Sequence, residues 1–182
     1  KENALANLEL YQILVDKDGI VPYPQETTDE RYWVKEPREI EFKCTCSDFW
    51  WCLNNVAKGL WRNELPYAMD VINFVLRPHL KRLLEWKMGI ENNFSVSAGK
   101  SGKYFKKYLP EDKYRQFLAT YSIAEIESIW NSVFGMCNLF QCTAVEFSKK
   151  QNFSYDFEQA KNSLNFLQHV RKLPVNAKEI YP

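Results

Sequence analysis

The chain has 182 residues, of which 46% are apolar, 15% aromatic and 26% charged, and its 24 basic and 23 acidic side chains leave a net charge of +1. This length suits one domain, or one domain with a small satellite, and the composition excludes a disordered chain. Balanced charge argues against a whole-molecule field for nucleic acid or membrane, and no apolar run reaches the roughly 18 residues that a membrane span needs. With 6 Gly and 8 Pro there are few chain breakers, which favours helices around a bulky aromatic core. The 5 Cys are odd in number, and Cys44 and Cys46 stand too close to pair easily. Free thiols in a reducing, cytoplasmic compartment follow. His79 and His169 each lack a Cys or His at ligand spacing, so no zinc site is expected.

Ala4 to Glu9 suits a short helix. Tyr11 to Val15 is β-rich and ends in the turn signature Asp16-Lys17-Asp18-Gly19. A lone strand is unstable, so its partners are expected before Lys1, and the sequence reads as a piece of a longer protein. Residues 20–37 hold Pro22, Pro24 and Pro37 and read as an extended connection.

Helical text begins after Pro37. Ile40, Phe49, Leu53, Val56 and Leu60 supply an apolar face, with Asn63 as the stop. Leu65, Met69, Ile72, Val75 and Leu76 open a second helix, which Pro78 should kink or break. Leu80, Leu83, Leu84 and Trp86 continue it to Gly89, the expected C-cap. Residues 90–103 read as a polar loop, and Pro110-Glu111-Asp112 opens another helix. Ser122 and Glu125 fit a capping box ahead of the series Ile123, Ile126, Trp130, Val133, Cys137, Phe140, Ala144 and Phe147. Asp156 with Gln159 caps a last helix, which Pro174 stops. The expectation is a mainly α fold of five or six helices.

Two places carry candidate chemistry. Gly99-Lys100-Ser101-Gly102-Lys103 suits a phosphate, because small residues let backbone N–H groups approach an anion and Lys100 and Lys103 neutralise it. A solvated loop is the plain alternative. On a helix, Asp48, Trp51, Asn55, Lys58 and Arg62 share one stripe. It offers a carboxylate, a flat ring, an amide and two cations, and could line a cleft for an amine-bearing ligand and an anion. The plain alternative is an amphipathic boundary with surface ion pairs worth little. No Gly-x-Gly-x-x-Gly, P-loop or Gly-x-Ser-x-Gly occurs.

Asp48-Phe49-Trp50, Lys58-Gly59-Leu60-x-Arg62-x-Glu64, Asp70, Trp86-Lys87-x-Gly89 and Gly99-Lys100-x-x-Lys103, in this order, resemble the bacterial aminoglycoside 6-adenylyltransferases, also called streptomycin adenylyltransferases. Leu14-Val15-Asp16-Lys17-Asp18, Tyr32-Trp33-Val34-x-x-Pro37 and the helix around Trp130 are similar to that family too. The resemblance implies transfer of AMP from ATP to a streptomycin hydroxyl. It implies a polymerase-β-type nucleotidyltransferase domain with a Gly-Ser then Asp-x-Asp motif holding Mg²⁺, followed by a helical domain that closes the aminoglycoside pocket. Residues 1–36 then form the edge of the first domain, with its last strand, and residues 37–182 the helical substrate-binding domain.

This sequence departs from the pattern. No Gly-Ser…Asp-x-Asp metal motif is present, and Asp16 and Asp18 belong to a turn beyond the metal strands, so no metal ligand is assigned. ATP and Mg²⁺ would act through the N-terminal domain, and these residues alone are expected to be inert. Asp48, Trp51 and Asn55 are the candidates for the polycationic acceptor, with Trp50 or Glu64 in reserve. Lys58, Lys100 and Lys103 are the candidates for the triphosphate. Two other readings stay open at this point: nucleotidyl transfer to another hydroxylated acceptor, and a non-catalytic helical module. The latter could contact RNA through Lys100–Lys107 with Tyr104, Phe105 and Tyr108, though the near-neutral charge speaks against nucleic acid.

Overall fold

The computed structural model describes residues 14–20, 29–174 and 176–181. Among them are seven α-helices: α1 (Glu39–Trp61), α2 (Leu65–Asp70), α3 (Arg77–Glu91), α4 (Phe105–Tyr108), α5 (Glu111–Leu118), α6 (Ile126–Gln151) and α7 (Phe157–Lys172). The mainly helical expectation holds. Of the expected strand, Tyr11 to Ile13 lie outside the described residues, as does the short helix at Ala4 to Glu9, and Leu14 and Val15 carry no strand.

The long helix α1 is the centre of the fold. Its most extensive contact is with α7, and it also packs on α2, α3 and α6. Phe42, Phe49, Leu53, Val56 and Leu60 are buried, as their spacing requires, whereas Ile40, in the first turn, is 57% exposed. Asn63 turns left-handed at φ 60°, and the Glu64 N–H donates to the Gly59 carbonyl at 2.8 Å, so the helix closes in a Schellman-type stop. Gly59 is needed for its size: a Cβ there would lie 2.9 Å from the Tyr67 ring and 3.2 Å from the Ala68 Cβ.

Large rings fill the space between α1, α3 and α6. Phe49 and Phe140 stack at 3.8 Å with planes 1° apart, and Trp50 meets Phe140 edge-on at 5.7 Å. Trp86 lies over Phe147 at 6.1 Å. The Trp50 Nε1–H donates to the Tyr155 hydroxyl at 3.0 Å, so the indole is buried without an orphan donor.

Two local expectations are corrected, and the change of helix expected at Pro78 takes the form of a π-helix, Val71–Leu76, joining α2 to α3. The wider turn moves aside the carbonyl that a proline ring would strike in an α-helix. Gly89 is not a cap, since α3 continues to Glu91. Its missing Cβ instead leaves room for Phe94, whose ring would come within 2.6 Å of one. The Ser122–Glu125 capping box is absent: Glu125 itself is the N-cap of α6 and makes no side-chain cap bond. The Asp156 cap is as expected, with Asp156 Oδ1 accepting from the Gln159 N–H at 2.8 Å.

Candidate functional site

The extended segment before α1 and the loop after α3 run side by side. The Val34 N–H donates to the Val96 carbonyl at 2.9 Å, which holds the two walls together. Between them, α3 and the first turn of α1 opens a cleft of about 960 Å³. Trp86 on α3 is 8% exposed at this cleft, its ring fixed against Phe147. Trp33, on the segment before α1, also lines the cleft, its Nε1–H donating to Asp29 Oδ1 at 2.8 Å.

Lys100 and Lys103 both line this cleft and both are exposed. Their loop takes positive φ at Gly99 (67°), Ser101 (60°) and Gly102 (78°). A Cβ at Gly99 would lie 2.7 Å from Lys103 Cγ and from the Tyr104 ring. Glycine lets the loop turn this tightly, and the turn closes on itself through N–H bonds from Gly102 to the Gly99 carbonyl and from Tyr104 to the Ala98 carbonyl, so the two lysine side chains are what the loop offers an anion. The phosphate-friendly reading of 99–103 therefore acquires a cleft.

Arg82 and Glu85 on α3 and Glu41 on α1 line the same cleft. The acids differ in how their oxygens are used. Glu41 accepts from the Arg38 backbone N–H at 2.8 Å, and this bond, with the Arg38 guanidinium, holds its carboxyl below the ordinary range. Asp29 is bonded to Trp33, and Glu36 accepts from Gln151 at 3.0 Å. Glu85 has no hydrogen bond or ion pair among the described residues. Burial raises its pKa, and the nearby charges of Arg82 and Lys81 offset that only in part.

The α1 stripe lies outside the cleft, farther along the helix. Asp48 and Trp51 are exposed, Trp51 at 70%, and Asn55 is half-buried. Asp48 follows the cleft residue Glu41 by seven positions, about 10 Å of helix rise. Its charge reaches His79 on α3, which the charge of Arg82 also reaches. Lys58 is seventeen positions beyond Glu41, about 25 Å along the axis, with its ammonium 5.8 Å from the Tyr181 ring centroid. It does not join Lys100 and Lys103. None of Asp48, Trp51, Asn55 and Lys58 lines the cleft.

Sequence reasoning passed over Trp33, Arg82 and Glu85. Trp33 stood inside a quoted motif without a role, and Glu85 stood beside Trp86. The signal that marks them is the pairing of 29–37 with 95–104, which no local periodicity reveals.

A second concavity, of about 440 Å³, lies between α1 and the start of α7. Its polar groups serve the fold: Gln159 bonds the Ser47 hydroxyl at 3.1 Å, and burial pushes the Cys46 thiol up to about 12, which removes it as a nucleophile. Among the described residues no three His, Cys, Asp or Glu side chains converge on a point that could hold a metal ion. No chemical step is assigned to a metal here.

The streptomycin adenylyltransferase family model matches residues 1–170 of this sequence. The chain belongs to that family. It is 33% identical over 160 residues to an aminoglycoside 6-adenylyltransferase of Bacillus subtilis (strain 168), covering 87% of this chain and 56% of that protein. A Staphylococcus aureus protein of the same name is 36% identical over 160 residues, covering 88% of this chain and 56% of its own length. A crystal structure of an aminoglycoside 6-adenyltransferase from Bacillus subtilis superposes with a TM-score of 0.72 at 30% identity, covering 87% of this chain and 59% of that one. The chain thus spans a little over half the length of these relatives.

The structure sorts the residues that carry the family resemblance. Phe49, Trp50 and Leu60 are core, and Gly59 and Gly89 are close approaches. Lys87 is a largely buried cation paired with Glu91 at 2.9 Å and Glu146 at 2.8 Å. Lys100 and Lys103 reach the cleft.

Proposed function

We propose that this chain is the substrate-facing helical part of an enzyme that transfers AMP from ATP to a hydroxyl of an aminoglycoside such as streptomycin. The acceptor oxygen attacks the α-phosphorus, and pyrophosphate leaves. The observation that carries the reading is the shared cleft: Lys100 and Lys103 stand on one wall while aromatic rings and carboxylates stand on the others. A polyanion and a polycation can meet there with each charge facing its opposite. The names of the relatives support the same chemistry.

In this reading residues 1–36 are the edge of a nucleotidyltransferase domain and 37–182 the helical domain. Lys100 and Lys103 hold the triphosphate, orienting it and screening its charge. Asp48, with Trp51 and Asn55 beside it, meets a cationic group of the acceptor on the α1 face that continues from the cleft. Lys58 contacts the nucleotide only if the ligand extends along α1. We place the protein in the cytoplasm, where ATP is found and where its five described cysteines, all free, stay reduced. No described helix is long and apolar enough to cross a membrane.

The test is pyrophosphate release by the protein expressed from its gene, given ATP, Mg²⁺ and streptomycin. Release that depends on streptomycin is expected. Release with another alcohol and none with streptomycin would change the acceptor, and none with any acceptor would overturn the reading.

A further inference from the structure

The geometry points to Glu85 as the residue that selects a cationic acceptor, by taking a guanidinium or ammonium group of the bound sugar between Trp33 and Trp86. This rests on the adenylyl-transfer reading above and adds a residue and a chemical class to it. Among the acids of the cleft, Asp29, Glu36 and Glu41 each spend an oxygen on a neighbouring donor. Glu85 does not, although it is half-buried and lines the same space. Its oxygens are not among the buried polar atoms left without a partner, so they meet water in the free protein, and a planar, five-donor cation can replace that water with charge-assisted bonds. Trp33 and Trp86 line the same space, and an indole beside a cation attracts it through its ring.

Arg82 and Lys81 do not fill the role, because neither forms an ion pair with Glu85 among the described residues. They do lower the pKa that burial has raised. The other charged or titratable groups facing the space are Glu41 on α1, Asp29, Lys35 and Glu36 before it, and Lys100, Lys103 and Tyr104 on the loop. A guanidinium keeps its charge throughout the accessible pH range. Its binding therefore favours the ionised form of Glu85 and releases a proton wherever Glu85 is still protonated. Affinity rises with pH through the Glu85 titration and levels off above it.

Calorimetric titration of the chain with streptomycin, at acid and at neutral pH, tests this. Wild type is expected to bind more tightly at neutral pH. Glu85→Gln should weaken binding roughly ten- to hundredfold and flatten the pH slope, and Glu85→Asp should recover part of both. A second measurement leaves the protein unaltered: methylguanidine is expected to compete with streptomycin, and methylurea, of the same shape but uncharged, is not. Wild-type affinity and slope in a folded Glu85→Gln protein, or equal competition by the two small probes, would overturn the role of Glu85 and leave adenylyl transfer standing. No streptomycin binding by wild type, together with no pyrophosphate release, would overturn both.

Discussion

Arg77 and Thr120 are joined twice: the guanidinium donates through Nη1 to Thr120 Oγ1 at 2.6 Å and through Nη2 to the Thr120 carbonyl at 3.0 Å. The Arg77 side chain also lies 3.7 Å from the Tyr121 ring centroid and donates to Asn73 Oδ1 at 3.1 Å. Arg77 is 4% exposed and follows the π-helical stretch directly. The contact ties the start of α3 to the turn after α5, and so fixes the helix that carries Arg82, Glu85 and Trp86.

Arg77→Lys should therefore destabilise the fold by about 2–4 kcal/mol, since an ammonium cannot reproduce the fork or the flat stacking. Thr120→Val, which removes one acceptor and keeps the shape, should cost less, about 1–2 kcal/mol. Urea unfolding followed by circular dichroism checks the order. Equal stability of Arg77→Lys and wild type would show that the link does not hold the helix.

Glu39 makes a second long-range tie, accepting from the Ser154 N–H at 3.1 Å and from its hydroxyl at 3.0 Å while pairing with Lys43 at 2.9 Å. The Lys43 bond, and then the Ser154 bonds, hold its pKa at about 2 against an ordinary 4.5. A depressed carboxyl pKa contributes stability above the unfolded value and loses it as pH falls through the folded one. Wild type should thus lose melting temperature progressively between pH 4.5 and about 2. Glu39→Gln should start lower at neutral pH and fall less steeply across that window. Parallel melting-temperature curves for the two proteins would remove Glu39 from the acid limb.

The fold was more legible than the site, for a physical reason. Helical periodicity is written in adjacent residues, so the faces of α1, α6 and α7 could be read from spacings of three and four. Asp156, a side chain bonding three residues ahead, is equally local. Pro78 showed that the helix must change, but not that the change is a π-turn, nor that the next residue back, Arg77, is anchored at Thr120, 43 residues away. Gly89 looked like a stop because the role of Phe94 is tertiary. The cleft is assembled by a bond from Val34 to Val96, and Glu85 stands out only once its neighbours' partners are known. Lys100 and Lys103 were visible because the glycines beside them announce a tight loop.

The stacked pair Phe49–Phe140 tests whether the aromatic core behaves as one unit. Phe140→Leu keeps apolar character but loses both the stack on Phe49 and the edge contact of Trp50. A loss of about 1–3 kcal/mol is expected, and about 3–5 kcal/mol for Phe140→Ala. A double-mutant cycle with Phe49→Leu should show coupling, because residues in contact do not add. Additive losses would mean the two rings are held independently.

Two wall substitutions should separate the ligands. Lys100→Ala and Lys103→Ala each remove a cation from the loop that faces the cleft, so each should raise the KM for ATP about tenfold while moving the KM for streptomycin much less. Charge-assisted bonds to phosphate are of that size. Asp48→Ala should do the reverse, weakening the streptomycin KM with that for ATP nearly unchanged. Steady-state pyrophosphate release from the protein expressed from its gene gives both constants. An ATP KM unmoved in both lysine variants would detach the 99–103 loop from the triphosphate. An unaltered streptomycin response in Asp48→Ala would confine the acceptor to the cleft between Trp33 and Trp86, because Asp48 stands two helical turns beyond Glu41 and touches only a ligand that extends past the rim.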